Sequence, residues 1–375
     1  MNETKQKNKI LSVLWHLCPV RIVILLVFGL WIAFYFAFRA NTGWMNAICD
    51  AVVRPWHRFA GQLSSRVPFS MAEWIILAAV VVVLLFVIQL LIHLIRKRDR
   101  EKLFRWAVTF LMILALAFGL FCLWWGVFYY ADGFTEQAGL EVRELTTMEL
   151  RDVTEYFAGL CNRYSVTVKR DKDSIFTPNR DTLFDKSETL YHGVEKLFPC
   201  LKGPDMRAKP AFFSRFMSRI NYTGYFFPYT AEANLNVDSP LCLLPSTIAH
   251  ELAHQRGVSG EDEANFVAVA ACMESGDPEF LYSGALSAYI YLGNALYSAD
   301  YNAWLGVYST LNGLVITDLV DNNEYWEQFK DTAASEVSEK VYEGFLRTYG
   351  DDRGMASYGA CVDLLVLWYL DAARD

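Results

Sequence analysis

PSTIAHELAHQRGVSGEDEANFVAVAAC, residues 245–272, reads as two helices joined at a glycine. Pro245 and Ser246 suit a first helical turn, where a missing N–H costs nothing, and Gly257 suits a helix end, where left-handed dihedrals are needed. Between them stands His250-Glu251-Leu252-Ala253-His254. Positions i and i+4 of a helix share one face, so both imidazoles can reach a single Zn²⁺ ion at about 2.0–2.1 Å. Glu251 is adjacent to the first of them. A carboxylate there can take a proton from a metal-bound water and later deliver it to a leaving amine. The whole chain has only 6 His, so two of them flanking a glutamate at this spacing is a pattern that chance seldom makes.

The residues after Gly257 offer a third ligand. A second helix starts near Glu261, with Glu261-Asp262-Glu263-Ala264-Asn265 in its first turns. Glu261 is the first choice and Glu263 the alternative, since Asp262 falls on a different face from both. Acids in a first turn also stabilise the helix dipole with no metal involved, which is the preferred role for Glu263. HExxH followed by Glu, three residues and Asn resembles the zincin metallopeptidases of the glutamate-ligand branch. HELAHQRG running into EDEANF, after YTGYFFPYTAEAN and three apolar runs, also resembles an uncharacterised family of bacterial membrane-anchored zinc metallopeptidase-like proteins. The resemblance implies one zinc per chain held by His250, His254 and Glu261, with Asn265 orienting a metal-bound imidazole. It also implies Glu251 as general base and acid, and a peptide or protein substrate. The spacing departs from the branch pattern: only six residues separate His254 from Glu261, and position 260 is Gly.

Upstream, NYTGYFFPYTAEANLNV is rich in Tyr, Phe and Thr and predicts a strand or hairpin over Tyr222–Val237. Pro228 would remove a ladder donor there, so the strand belongs at a sheet edge, where an extended peptide could pair with it. The remainder of the second half is mostly helical. Thr146-Thr147-Met148-Glu149 has the spacing of a capping box and opens an amphipathic run to about Tyr164. Lys169–Pro178 reads as a loop, Asp181–Leu197 as helix, and Gly359–Leu370 as a buried helix too short to span a bilayer. Tyr282, Tyr289 and Tyr291 are equivalent candidates for a donor to a developing oxyanion. His192 and Arg256 read as a surface or capping group and a solvated helix-end charge. Five of the 8 cysteines (Cys161, Cys200, Cys242, Cys272, Cys361) fall in this half without CxxC spacing, and buried free thiols are preferred over one or two disulfides.

The first 130 residues differ in kind. Apolar runs at about 21–38, 71–95 and 103–130 are each long enough to cross a bilayer. No small-x-small cleavage site follows Phe38, so the first run reads as an anchor and not as a removed signal peptide. Trp44–Phe69 reads either as a helix lying on the membrane surface or as an ordinary loop. Residues 1–130 carry 14 Lys/Arg and 5 Asp/Glu, while residues 131–375 carry 20 and 37. The acidic half would repel phosphate, which excludes a nucleic-acid binder, and the mean hydropathy of +0.18 excludes a disordered chain. Basic residues stay on the cytoplasmic side. Arg96, Lys97, Arg98, Arg100, Lys102 and Arg105, with Lys5, Lys7, Lys9 and Arg21, outnumber Arg39, Arg54, Arg58 and Arg66 across the bilayer.

The expectation is therefore a mainly α, multi-pass protein of the cell membrane. It has a three-helix membrane domain (1–130) with a cytoplasmic N-terminus, then an extracytoplasmic, zincin-like domain (131–375) with a short edge strand or hairpin. The expected activity is zinc-dependent peptide hydrolysis; the alternative is a non-catalytic, zinc-stabilised sensor or binding domain coupled to the lipid bilayer. The sequence leaves the oligomeric state open.

Overall fold

The computed structural model describes residues 18–96, 100–330, 332–348 and 357–375. The expected basic residues Lys5, Lys7, Lys9, Lys97 and Arg98 lie outside them. The chain is mainly α. Among the described residues three helices are long and apolar enough to cross a membrane: α1 (Pro19–Phe38), α4 (Met71–Arg96) and α5 (Arg100–Trp124). Their apolar side chains are largely exposed, as they must be when lipid is the solvent. The N-terminal part is therefore membrane-associated. Trp31 Nε1 of α1 donates to the Gly119 carbonyl of α5 at 2.8 Å, and Phe86 of α4 stacks on Phe110 of α5 at 4.2 Å.

The third apolar run is shorter as a helix than its sequence suggests. It ends at Trp124, and Gly126–Tyr130 form one tighter 3₁₀ turn. Trp125, Val127 and Phe128 are buried there, so these aromatic residues face protein and not lipid. The segment before α4 is helical: α2 (Thr42–Ile48), a π turn at Cys49–Val53 and α3 (Arg54–Ser65) follow one another without a break. Met45, Cys49, Val53, His57, Ala60 and Ser64 are buried at helical spacing, while Phe59 and Leu63 on the other side are exposed.

The second half packs around a bundle. α6 (Phe134–Ala138) leads to α7 (Thr147–Ser165), which opens on the complete Thr146/Glu149 capping box. α7 lies along α13 (Pro278–Ala299), whose first turn is capped by Asp277. The segment expected to be one helix over Asp181–Leu197 is broken into α8 (Arg180–Ser187), a 3₁₀ turn and α9 (Val194–Leu197). At the centre stand α11 (Leu244–Gln255) and α12 (Glu261–Met273), joined by a turn in which Gly257 has φ +90°. The C-terminal α17 (Ser357–Arg374) packs on α12; its Cys361, Leu365 and Val366 are buried and Trp368 stands edge-on to Phe266. None of the eight cysteines is in a disulfide.

One small sheet completes the half. β2 (Gly224–Phe227) runs antiparallel to β3 (Glu232–Leu235), and β1 (Lys209–Pro210) adds to β3 in parallel, giving the order β1-β3-β2. β2 is thus an edge strand, and Pro228 stands just past its last residue, where no ladder bond is lost. β3 is buried against α11.

Candidate metal centre

α11 carries its two histidines on one face, with ring centroids 4.6 Å apart and planes nearly perpendicular. The Gly257 turn folds α12 back so that Glu261, in its first turn, meets them. Glu261 Oε2 lies 3.2 Å from His250 Nε2 and 3.7 Å from His254 Nε2. One ligand atom from each of the three residues falls within 4.8 Å of the others. Tetrahedral zinc, with ligands at about 2.0–2.1 Å, requires its donor atoms to be roughly 3.3–3.5 Å apart. Two imidazoles and a carboxylate are also a donor set that zinc accepts, and the spacing and chemistry fit that ion.

Neighbouring groups fix the orientation of these donors. His254 Nδ1 donates to the Val258 carbonyl at 2.7 Å, which turns Nε2 toward the cluster. Trp125 packs edge-on against the same ring at 5.5 Å. The Tyr342 hydroxyl, on α16 (Ala333–Thr348), bonds Glu261 Oε1 and so leaves Oε2 for the histidines. Burial works against a charged His254, but the Glu261 carboxylate outweighs it and pushes the imidazole up to about 9. Burial likewise opposes a charged Glu261, yet His254 and His250 hold it well below the usual carboxylate range.

Glu251 is 4% exposed, and its Oε2 has no hydrogen-bond partner. Burial pushes its carboxyl up, with His250 and His254 opposing. Its close neighbour is the edge strand. A Cβ at position 224 would lie 2.6 Å from Glu251 Oε1, so only glycine lets β2 approach the carboxylate this closely. The strand and the His-His-Glu cluster line one cavity of about 480 Å³, with Trp125, Tyr222, Gly224, Phe226, Tyr291 and Tyr342 on its walls.

The other sequence expectations divide. Glu263 is turned away from the cluster: its carboxylate accepts from the backbone N–H groups of Phe134 at 3.0 Å and Thr135 at 2.7 Å, capping α6. Asn265 accepts from the Tyr291 hydroxyl at 3.0 Å and holds no imidazole; the Val258 carbonyl orients His254 instead. Of the three tyrosines, Tyr291 faces the cavity, Tyr282 is bonded to Asp318, and the buried Tyr289 hydroxyl has no partner. His192 pairs with Asp205 at 2.7 Å near the surface. Arg256 is not solvated. The Gly257 turn tucks its guanidinium over the Tyr191 ring at 3.9 Å, beside Glu195 at 3.5 Å, and burial lowers its pKa. Tyr342, Gly224, Trp125 and the Val258 carbonyl had no signal in the sequence pattern, because each meets the cluster only through the fold.

Fold and site together define a mainly helical, membrane-associated protein with a His-His-Glu cluster beside a sheet edge, His254 and Glu261 buried and His250 partly so. The chain belongs to the family described as "Protein of unknown function (DUF3810)", whose model matches residues 50–366. No curated protein and no solved structure matches it.

Proposed function

We propose that this protein is a membrane-anchored zinc metallopeptidase of the zincin kind, with one zinc held by His250, His254 and Glu261. One observation carries the reading: the three donors converge beside a buried carboxylate, Glu251, one of whose oxygens bonds to nothing. A purely structural metal site gains nothing from such a group, which costs stability by being buried unpaired. Zinc, when bound there, would supply Lewis acidity to the peptide carbonyl and lower the pKa of a water.

The remaining work falls to the chain's own residues. Glu251 accepts the proton of the attacking water on its free oxygen, and its upward-shifted pKa suits it to return that proton to the leaving nitrogen. The open edge of β2 pairs with the substrate backbone in an extended form, and Gly224 brings that backbone against Glu251. Of Tyr282, Tyr289 and Tyr291, it is Tyr291 that lines the cavity, and its hydroxyl, which donates to Asn265, is the one placed to turn toward charge developing on the carbonyl oxygen. The charge asymmetry of the sequence supports an N-terminus in the cytoplasm and residues 131–375 outside the cell membrane.

The test is zinc stoichiometry on the purified full-length protein beside His254→Ala. The expected result is one zinc per chain in the wild type and none in the variant. A folded wild type that takes up no zinc on reloading would end the reading. A reporter fused after Asp375 should be active outside the cell; activity confined to the cytoplasm would reverse the orientation.

A further inference from the structure

β2 connects two places that the metal site alone does not relate. At one end Gly224 abuts the Glu251 carboxylate. At the other, Phe227 is paired with Glu232, whose carboxylate accepts from the backbone N–H groups of Met71 at 3.1 Å and Ala72 at 2.7 Å. Those two residues are the start of α4, the second apolar helix. Three residues of strand span about 10 Å, so Gly224, against Glu251, stands about that far along β2 from Phe227, whose pairing partner Glu232 holds the start of α4.

Two further contacts mark the level of the bilayer. Just past β2, the Tyr229 hydroxyl donates to the Ala117 carbonyl at 2.9 Å, seven residues before the end of α5, or about 10 Å along its axis. Beside the first turn of α4, the Glu73 carboxylate accepts from Phe212 N and Phe213 N, both at 2.8 Å. Phe69, Trp74, Phe213 and Phe216 are all exposed there, and Phe212 is 85% exposed. An exposed aromatic cluster around the first turn of an apolar helix is the pattern of a membrane–water interface. The cavity lining includes Phe121, Trp125 and Tyr129, from the end of α5 and the turn after it, and among the described residues no Lys or Arg lines it.

We propose that the substrate is a membrane-anchored polypeptide, cut in the extended segment that leaves the bilayer. This rests on the metallopeptidase reading and narrows its substrate class. A chain paired along the free edge of β2 runs from Glu251 to the membrane surface, so its scissile bond lies about three to six residues from its apolar anchor. Recognition comes from backbone pairing and the apolar walls, since among the described residues the cavity lining has no Lys or Arg and its two histidines belong to the cluster.

The experiment uses the full-length, zinc-loaded protein in phospholipid vesicles. One probe is a single apolar helix of about 20 residues carrying an uncharged, sequence-randomised tail; the second is the same tail without the helix. A third has a Gly/Ser spacer of six residues between helix and tail. We expect the anchored tail to be cut at least about tenfold faster than the free one. Mass spectrometry should place the cuts three to six residues from the helix, and in the third probe the cuts should move into the spacer. The spacer probe separates geometry from simple co-localisation. Cuts that travel with the tail sequence, or a free tail cut as fast as the anchored one, would overturn the inference and leave the peptidase reading standing. Cleavage of neither tail by protein that holds its zinc would overturn both.

Discussion

Asp318 and Glu251 are both buried carboxylates, and they are treated oppositely. Asp318, on the helix Gly313–Glu327, is fully buried and surrounded by donors. Arg170 reaches it with two nitrogens at 3.2 and 2.9 Å, Phe176 N donates at 2.9 Å, and the Tyr282 hydroxyl bonds its second oxygen. Glu251 is nearly as deep, yet one oxygen has no partner and glycine, not a donor, stands against the other. A satisfied carboxylate ties a loop to a helix core. An unsatisfied one costs stability and is kept where a proton must be taken up. The contrast separates what holds this fold from what the proposed chemistry would use.

The sharpest break would come from Glu251→Gln. Peptide hydrolysis should fall by about 10³-fold or more, because general-base catalysis is lost, while the thermal unfolding midpoint holds or rises. A variant that unfolds early would put Glu251 in the same class as Asp318. Asp318→Ala should do the reverse. Leaving Arg170 buried without its partner costs about 3–5 kcal/mol of stability in denaturant titrations, with zinc content unchanged below the unfolding transition.

His57 extends the comparison to a base. It is 2% exposed between the rings of Phe128 and Phe226, and burial pushes its pKa down to about 3. The unfolded chain, with an ordinary histidine near 6.5, binds the proton more readily. The stability from a neutral His57 is therefore complete above pH 6.5 and is lost as pH falls toward 3. Between pH 7 and pH 5 the loss should be about 2 kcal/mol, and His57→Phe should remove that part of the pH dependence.

Two smaller effects divide the neighbouring acids of α12. Tyr342→Phe frees Glu261 Oε1 and should weaken zinc affinity about tenfold, read by competition with a chromophoric chelator. Glu263→Gln should leave zinc affinity unchanged and cost about 1 kcal/mol of stability through the weakened cap of α6. A zinc defect in Glu263→Gln larger than in Tyr342→Phe would reverse the roles of the two glutamates.

Much of this was legible because it is local. The His250/His254 face, the Gly257 turn, the Thr146/Glu149 cap and the edge strand before Pro228 are set by neighbours within four residues, and periodicity or turn chemistry reports them. Tyr342 is 81 residues from the Glu261 it holds, and Glu232 lies 160 residues from Ala72. No spacing rule reaches that far. The end of the third apolar run, Trp124–Tyr130, misled for a related reason: its composition suits a bilayer-spanning helix, and only contact with His254 and Phe226 shows that part of it faces protein. Arg256 read as solvated because a helix-end arginine ordinarily is; the ring of Tyr191 is what draws it inside.

The helix Ser357–Arg374 ties the His-His-Glu cluster to a distant part of the chain. It packs against α12, the helix that carries Glu261. Loss of that helix would uncover the apolar face of α12 and remove the support that sets Glu261 against the two histidines.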